Sequence, residues 1–249
     1  FVNWHNARLA TTFDNVIATT NFAAAEFVRI KTSNLRKVAL GVDLVGFNPE
    51  NRNSKLRKEL LKGSEFLLVH CGRMSPEKQP ERSVQALAEL VKAGVNARLV
   101  IVGGGPLWNK IRKQSTGLPV DMVGYIASRQ KVADYLAAAD LAIAPGPLET
   151  FCLSALESLA SGTPVVASKS SAVGEILNIN SIKAAGAVAS DDGISFANEI
   201  IKLLNKGNLR KVARNQAEQF SWANTIDAML DIHDAKKPMV TTKRRLKAA

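Results

Sequence analysis

Two cysteines and three histidines are all that this chain of 249 residues offers to soft metals or disulfides. Cys71 and Cys152 lie far apart, and His5, His70 and His233 are scattered. No Asp-x-Asp pair follows a strand-like run. These gaps exclude a cysteine–histidine cluster and a disulfide scaffold, and they fit reduced thiols in or near the core of a cytoplasmic protein. They lead us to expect no catalytic metal. His70, at the end of an apolar run, reads as a satisfied core histidine, and His5 and His233 as surface positions on amphipathic helices. The chain also lacks an apolar run of membrane-spanning length, a signal peptide and an initiating Met. Its start at Phe1 suggests a fragment of a longer protein.

What is present is an apolar content of 46%, enough for a substantial core, and a net charge of +11. That charge is unevenly placed. Residues 236–249 hold Lys236, Lys237, Lys243, Arg244, Arg245 and Lys247 with no acid, so over half of the net charge sits at one end. Such a block reads as a disordered, solvated tail. Functionally it could be drawn to an anionic membrane face. Nucleic acid is the weakest reading, because no aromatic platform or recognition helix accompanies the basic residues.

Along the chain the pattern is strand, loop, helix, repeated. Strands are expected at residues 15–20, 37–40, 66–71, 98–102, 120–123, 141–145, 165–167 and, weakly, 187–188. Residues 48–54 read as a linker. Helices are expected at 22–30 with Asn21 as N-cap, 81–93, 107–114, 132–139, 153–160, 194–205, 209–219 and 222–234, with a short helix or turn at 175–177. The run 66–71 is continuously apolar, as suits a parallel strand covered on both faces. The alternation predicts an α/β fold, a Rossmann-like doubly wound parallel sheet. Ligands bind such sheets beyond the carboxyl ends of the strands. The unusual loops all follow strands: Gly72-Arg73, Gly103-Gly104-Gly105-Pro106, Gly124-Tyr125 and Gly146 to Glu149.

The most informative stretch is residues 146–166. Glu149 lies in a Gly/Pro turn and Glu157 falls eight positions later, inside an apolar helical run. A loop carboxylate can grip hydroxyls, and a helix N-terminus beside it offers free N–H groups to phosphate. A nucleotide-sugar presents both kinds of group. Upstream, Arg73 and Lys78 follow the strand at 66–71. Arg73 can fork onto phosphate oxygens and Lys78 adds a compact charge. Either could be an ordinary solvated cation, but their position after an apolar strand, together with the acid pair, favours a site. The loop 103–106 lacks the Gly-x-Gly-x-x-Gly spacing of a dinucleotide fold. It serves either close backbone approach to a ligand or a tight turn.

This set resembles the Glu-x7-Glu retaining glycosyltransferases of the GT-B fold, family 4 (glycosyl transferases group 1), over nearly the whole chain. Within the family it is most like the actinobacterial GDP-mannose-dependent α-mannosyltransferases acting on phosphatidylinositol mannosides or other lipid acceptors. The resemblance implies that residues 1–45 are the end of a truncated N-terminal, acceptor-side domain and 46–220 the C-terminal nucleotide-sugar-binding domain. It implies a crossover helix at 221–235 before the basic tail at 236–249. The family's N-terminal Gly-rich loop and active-site histidine are missing, which puts activity of the isolated chain in question.

By the same resemblance Arg73 and Lys78 contact the donor diphosphate, Glu149 the transferred sugar and Glu157 the ribose. Gly104, Ile126, Thr150, Phe151, Cys152 and Leu153 approach the donor, largely through backbone. Glu149, Arg73 and Lys78 are the expected catalytic residues. The Phe151 side chain reads as packing. Gly174-Glu175 matches the family's small-residue turn near the donor phosphates; the other reading of Glu175 is a simple helix-start acid, and it is not counted among the site residues. The expected activity is transfer of a hexose, mannose from GDP-mannose first, to a lipid-linked or glycan acceptor with retention. No cofactor beyond the donor is implied, and no nucleic acid. The expected place is the cytoplasm, peripheral on the inner face of the plasma membrane. The alternatives are UDP-glucose or another nucleotide-sugar as donor, and a non-catalytic nucleotide-sugar-binding module.

Overall fold

The structure is a computed structural model that describes residues 2–234. The basic stretch 236–249 lies outside the described residues. The smaller of two sheets has two parallel strands, β1 (Val16–Ala18) and β2 (Leu35–Lys37). Helix α1 (Val2–Thr12) precedes it and α2 (Asn21–Arg29) joins its strands. The larger sheet has β3 (Phe66–Cys71), β4 (Ala97–Val102), β5 (Val120–Gly124), β6 (Leu141–Ala144), β7 (Val165–Ser168) and β8 (Gly186–Ala189). Every pairing is parallel and the order is β5-β4-β3-β6-β7-β8. Around it lie α3 (Ser54–Leu61), α4 (Glu81–Lys92), α5 (Trp108–Gln114), α6 (Arg129–Ala138), α7 (Leu153–Ala160), α8 (Val173–Ile176), α9 (Gly193–Asn205), α10 (Arg210–Ala217) and α11 (Trp222–Asp234). This is the doubly wound α/β arrangement that the alternation predicts.

The unbroken apolar run of β3 follows from cover on both faces. Leu67 and Val69 enter a layer with Leu136 of α6, Leu156 of α7 and Ala213 of α10. Leu68 enters the opposite layer with Leu87 and Leu90 of α4 and Phe196 and Ile200 of α9. All are buried, and truncating any of the large ones to Ala costs about 2–5 kcal/mol. The chain steps outward from β3 through β4 to β5, then returns to β6 and steps the other way. β3 and β6 are therefore neighbours whose connections leave in opposite directions, and that switch point is where a crevice opens.

At the other end of the sheet the basic side chains are engaged structurally. Arg52 donates to the carbonyls of Ala137 and Ala139, both at 3.0 Å, and Arg57 to that of Ala138 at 2.8 Å. Arg210 donates to Ala139 and Ser161 carbonyls, and Asp140 pairs with Arg52 and Arg57. The open carbonyls at the end of α6 are thus satisfied, and its negative dipole end meets cations.

Three local expectations are corrected. Thr20, not Asn21, is the N-cap of α2: it is extended and its hydroxyl accepts from the Ala23 N–H. β2 lies upstream of the apolar run 37–40, because that run turns away to the 220–225 segment. There Thr225 donates to the Ala39 carbonyl and the Val42 N–H to that of Phe220. Residues 48–54 are not an open linker but a 3-10 turn (Pro49–Asn51) and the N-cap of α3, Asn53. Among the described residues no helix is long and apolar enough to cross a membrane.

Candidate functional site

A parallel sheet brings the loops after all its strands to one edge. Two chambers open there at the β3/β6 switch point. The larger, of about 420 Å³, is lined by Arg73, Gly104, Tyr125, Ile126, Arg129 and Glu157 among others. That volume lies in the range of small-molecule sites. The smaller, of about 30 Å³, has walls from His70, Lys78, Gly146, Glu149, Cys152 and Ser154. Cys71 and Gly72 line both, so the two are halves of one cleft centred on the end of β3.

The cations and acids separated in sequence meet here. The Lys78 ammonium lies 2.5 Å from Glu149 Oε1, with the Glu149 side chain only 14% exposed. Arg73 is exposed at the wall it shares with Glu157, and its guanidinium forms no ion pair among the described residues. Burial raises the Glu157 carboxyl above its ordinary range; Arg129 lowers it and Asp43 raises it. The Arg129 contact, at 3.5 Å and with that side chain 67% exposed, is too long and too wet to offset burial. Arg129 also lies over the Phe47 ring at 5.0 Å.

The glycine loop has a resolved division of labour. A Cβ on Gly103 would stand 1.9 Å from the Gly72 carbonyl oxygen, and one on Gly105 would stand 2.5 Å from that of Met74. Both have positive φ. They let the loop pack against the loop after β3, stitched by Met74 N–H to the Gly104 carbonyl and Leu107 N–H to that of Met74. Gly104 differs: a Cβ there would meet only Tyr125, at 3.9 Å, and it faces the larger chamber. A register shift at Ile101/Val102 re-aims the strand end just before the loop.

Helix α7 begins at the cleft without a side-chain cap, because its N-cap is Cys152 in the left-handed region, φ 70° and ψ 78°. The first amides of α7 are thereby left without a capping side chain beside Glu149. Burial raises the Cys152 thiol, as does Glu149, and pushes that of Cys71 up to about 12, so both stay neutral. Phe151 is buried and meets Phe220 edge-on at 6.2 Å. Thr150, Phe151 and Leu153 line neither chamber. The Thr150 side chain is exposed and its carbonyl turns toward Thr19 and Thr20.

His70 corrects the sequence reading. Its Nδ1 lies 2.9 Å from Ser83 Oγ, but Nε2 is buried without a partner. Burial and then Lys78 push its pKa down to about 4, so the imidazole is neutral beside the cleft. Sequence reasoning also missed Phe47 and Arg129 as lining residues. Arg129 opens α6 just after the Gly124-Tyr125 loop, a signal of the kind used for Arg73. Phe47 carries none. The cavity at the opposite sheet end, lined by Arg52, Asp140 and Arg210, is a structural junction whose guanidiniums are already bound to carbonyls.

Comparison with known proteins identifies the family and the fold. The family described as glycosyl transferases group 1 matches residues 51–220. A GDP-mannose-dependent alpha-(1-6)-phosphatidylinositol dimannoside mannosyltransferase of Mycobacterium tuberculosis is 46% identical over 232 residues, 92% of this chain and 60% of that protein. A D-inositol 3-phosphate glycosyltransferase of Mycolicibacterium smegmatis is 30% identical over 232 residues, 87% of this chain and 52% of that one. The chain thus spans well under two thirds of the length of these relatives. Among solved structures, Anabaena Alr3699/HepE in complex with UDP superposes with a TM-score of 0.80 at 21% identity, over 92% of this chain and 66% of that one. Sucrose-phosphate synthase from Thermosynechococcus elongatus gives 0.79 at 23% identity, over 94% and 61%. At these identities the two structures speak for the fold alone.

Proposed function

The chain belongs to the glycosyl transferases group 1 family, and from that premise we propose that it is the donor-binding part of a retaining mannosyltransferase. The donor is GDP-mannose and the acceptor a lipid-linked mannoside of the phosphatidylinositol type. The observation that carries the reading is the convergence of Lys78 with Glu149, and of Arg73 with Glu157, on one cleft at the switch point. Identity of 46% to an enzyme named for that donor and acceptor supports the choice of sugar and lipid.

In this reading Arg73 and Lys78 hold the diphosphate and stabilise the charge that grows on it as the C1–oxygen bond breaks. The N-terminal amides of α7 and the backbone at Gly104 face the phosphates. Glu149, fixed by Lys78, accepts from sugar hydroxyls, and Glu157 accepts from the ribose. Ile126 presents backbone to the base. Thr150, Phe151, Cys152 and Leu153 shape the turn that places Glu149. The division at residues 45 and 220 assigns 46–220 to donor binding and the flanking segments to an acceptor-side domain and its crossover helix. Work at a membrane face, with the tail at 236–249 against anionic lipid, completes the proposal.

The test is calorimetry and transfer assays on the full-length protein. GDP and GDP-mannose should bind, UDP and ADP more weakly, and mannose should pass to a phosphatidylinositol mannoside. Arg73→Ala should weaken GDP binding at least tenfold, since a hydrogen bond to a charged group is worth about 1.5–3 kcal/mol. Binding unchanged by Arg73→Ala, or a preference for UDP, would overturn the donor assignment.

A further inference from the structure

Two side chains outside the cleft tie its donor loop to the N-terminal segment. The Glu175 carboxylate of α8 accepts from the N–H groups of Asn21 and Phe22, both at 2.8 Å, at the start of α2. The Thr20 hydroxyl donates to the Thr150 carbonyl at 2.8 Å, and Thr19 reaches the same oxygen at 3.3 Å. These partners are at least 130 residues apart in the chain. Thr150 directly follows Glu149 in the loop after β6. The backbone of that loop has a further partner: the Ala172 N–H donates to the Glu149 carbonyl at 2.8 Å, one turn before Glu175. The donor carboxylate is therefore bracketed: Thr20 holds the next residue, and Glu175 anchors the segment that holds its own carbonyl.

The chemistry of the bracket suits a reversible contact. Glu175 is exposed, so its two bonds are charge-assisted but wet. Thr20 is buried at 3% exposure and also accepts from Ala23 N–H, so its hydroxyl is fully used as donor and acceptor. A second junction joins residues 39–42 to the start of α11, where Val42 bridges Ser221 and the Ala39 carbonyl accepts from Thr225. One junction is a chain crossing. Among the described residues the side-chain hydrogen bonds across the other are those of Thr19, Thr20 and Glu175.

We propose that Thr20 and Glu175 form a latch that fixes the Glu149 loop when the N-terminal segment is seated, and releases it when that segment swings away. They are positioning residues for the transfer step, and this role rests on the donor-site reading above. A displacement of about 1 Å in a reacting group can cost about a hundredfold in rate, so a latch on the loop backbone can gate turnover without touching the donor.

The experiment uses the full-length protein and four variants: Thr20→Val, Thr20→Ser, Glu175→Ala and the Thr20→Val/Glu175→Ala pair. Turnover, donor KM, GDP affinity and amide hydrogen exchange are measured on each. Thr20→Val and Glu175→Ala should each lower kcat tenfold or more, with GDP affinity within about threefold of the parent. Exchange should speed up both at 19–30 and at 146–156. Thr20→Ser should restore both readouts, and the pair should be less than additive, as for one coupled device. Exchange that rises only at 19–30, an unchanged kcat, or failure of Thr20→Ser to rescue would each overturn the latch. The exchange arm needs no substrate. A parent that transfers no hexose would sink the functional reading, while exchange at 146–156 would still decide the latch.

Discussion

Glu157, half-buried, and His70, buried, are ionisable groups at the cleft, and each makes stability depend on pH in a direction that can be worked out. The Glu157 carboxyl is raised, so the native state holds its proton more tightly than the unfolded chain. Stability then falls as pH climbs from the unfolded value of 4.5 through the raised native one, because ionisation in place is opposed by burial. Glu157→Gln is expected to raise the melting temperature at pH 7 while weakening GDP binding, because an amide offers one acceptor oxygen where a carboxylate offers two. Melts and calorimetry on the same sample check both; a variant that melts lower and binds as before contradicts the assignment. His70 has the opposite sign. Its pKa falls from 6.5 to about 4, so the unfolded chain binds the proton that the native state refuses. That stability is present above pH 6.5 and is lost as pH drops toward 4, by about 3 kcal/mol for the full shift. His70→Asn keeps a partner for Ser83 and should flatten the acid limb of the melting profile between pH 7 and 4.5. An unaltered acid limb would place the sensitivity elsewhere.

At the scale of elements, the glycine loop after β4 offers a clean contrast. Gly103→Ala forces a Cβ to 1.9 Å from backbone at a φ of 137°, with nothing flexible to move aside. A loss of roughly 3 kcal/mol or more, or outright failure to fold, is expected. Gly104→Ala adds a methyl facing Tyr125 and open space, so stability should stay within about 0.5 kcal/mol while donor affinity falls. Denaturant unfolding of the two variants, with GDP titration of the second, distinguishes loop packing from ligand approach. The sequence left those two roles even, because a run of three glycines does not say which carbonyl each faces. What it did show was set by local pattern. β3 was legible because burial on both faces demands an unbroken apolar run, and the span of α7 because Pro164 and the Gly146-Pro147 turn bracket it. β2 was misplaced by the apolar run 37–40, whose burial comes from the segment at 220–225 rather than from a ladder. The orphan nitrogen of His70 and the reach of Glu175 to α2 depend on contacts that no spacing encodes. The convergence of Arg73, Lys78, Glu149 and Glu157 was legible because parallel connectivity sends every loop after a strand to one edge.

For the whole molecule the remaining quantity is charge. The described residues hold many of their cations in local pairs: Arg52 and Arg57 on Asp140, Lys62 and Arg98 on Asp121, Lys110 on Glu81 and Lys78 on Glu149. The six basic residues of 236–249 have no acid within their own stretch. A surface of anionic lipid attracts such a segment by about 1 kcal/mol per basic residue, within a Debye length of about 8 Å at physiological salt. A transferase whose acceptor is anchored in that surface gains effective concentration from the attraction without any new contact in the cleft. Removal of residues 236–249 should therefore weaken binding to vesicles containing anionic phospholipid by at least a hundredfold at 0.15 M salt. It should leave GDP affinity unchanged and raise the KM for a vesicle-embedded acceptor but not for a water-soluble analogue. Raising the salt to about 1 M, where the Debye length is about 3 Å, should erase the difference between the two chains. Equal vesicle binding with and without the tail at 0.15 M salt would contradict a role for residues 236–249 in membrane attachment.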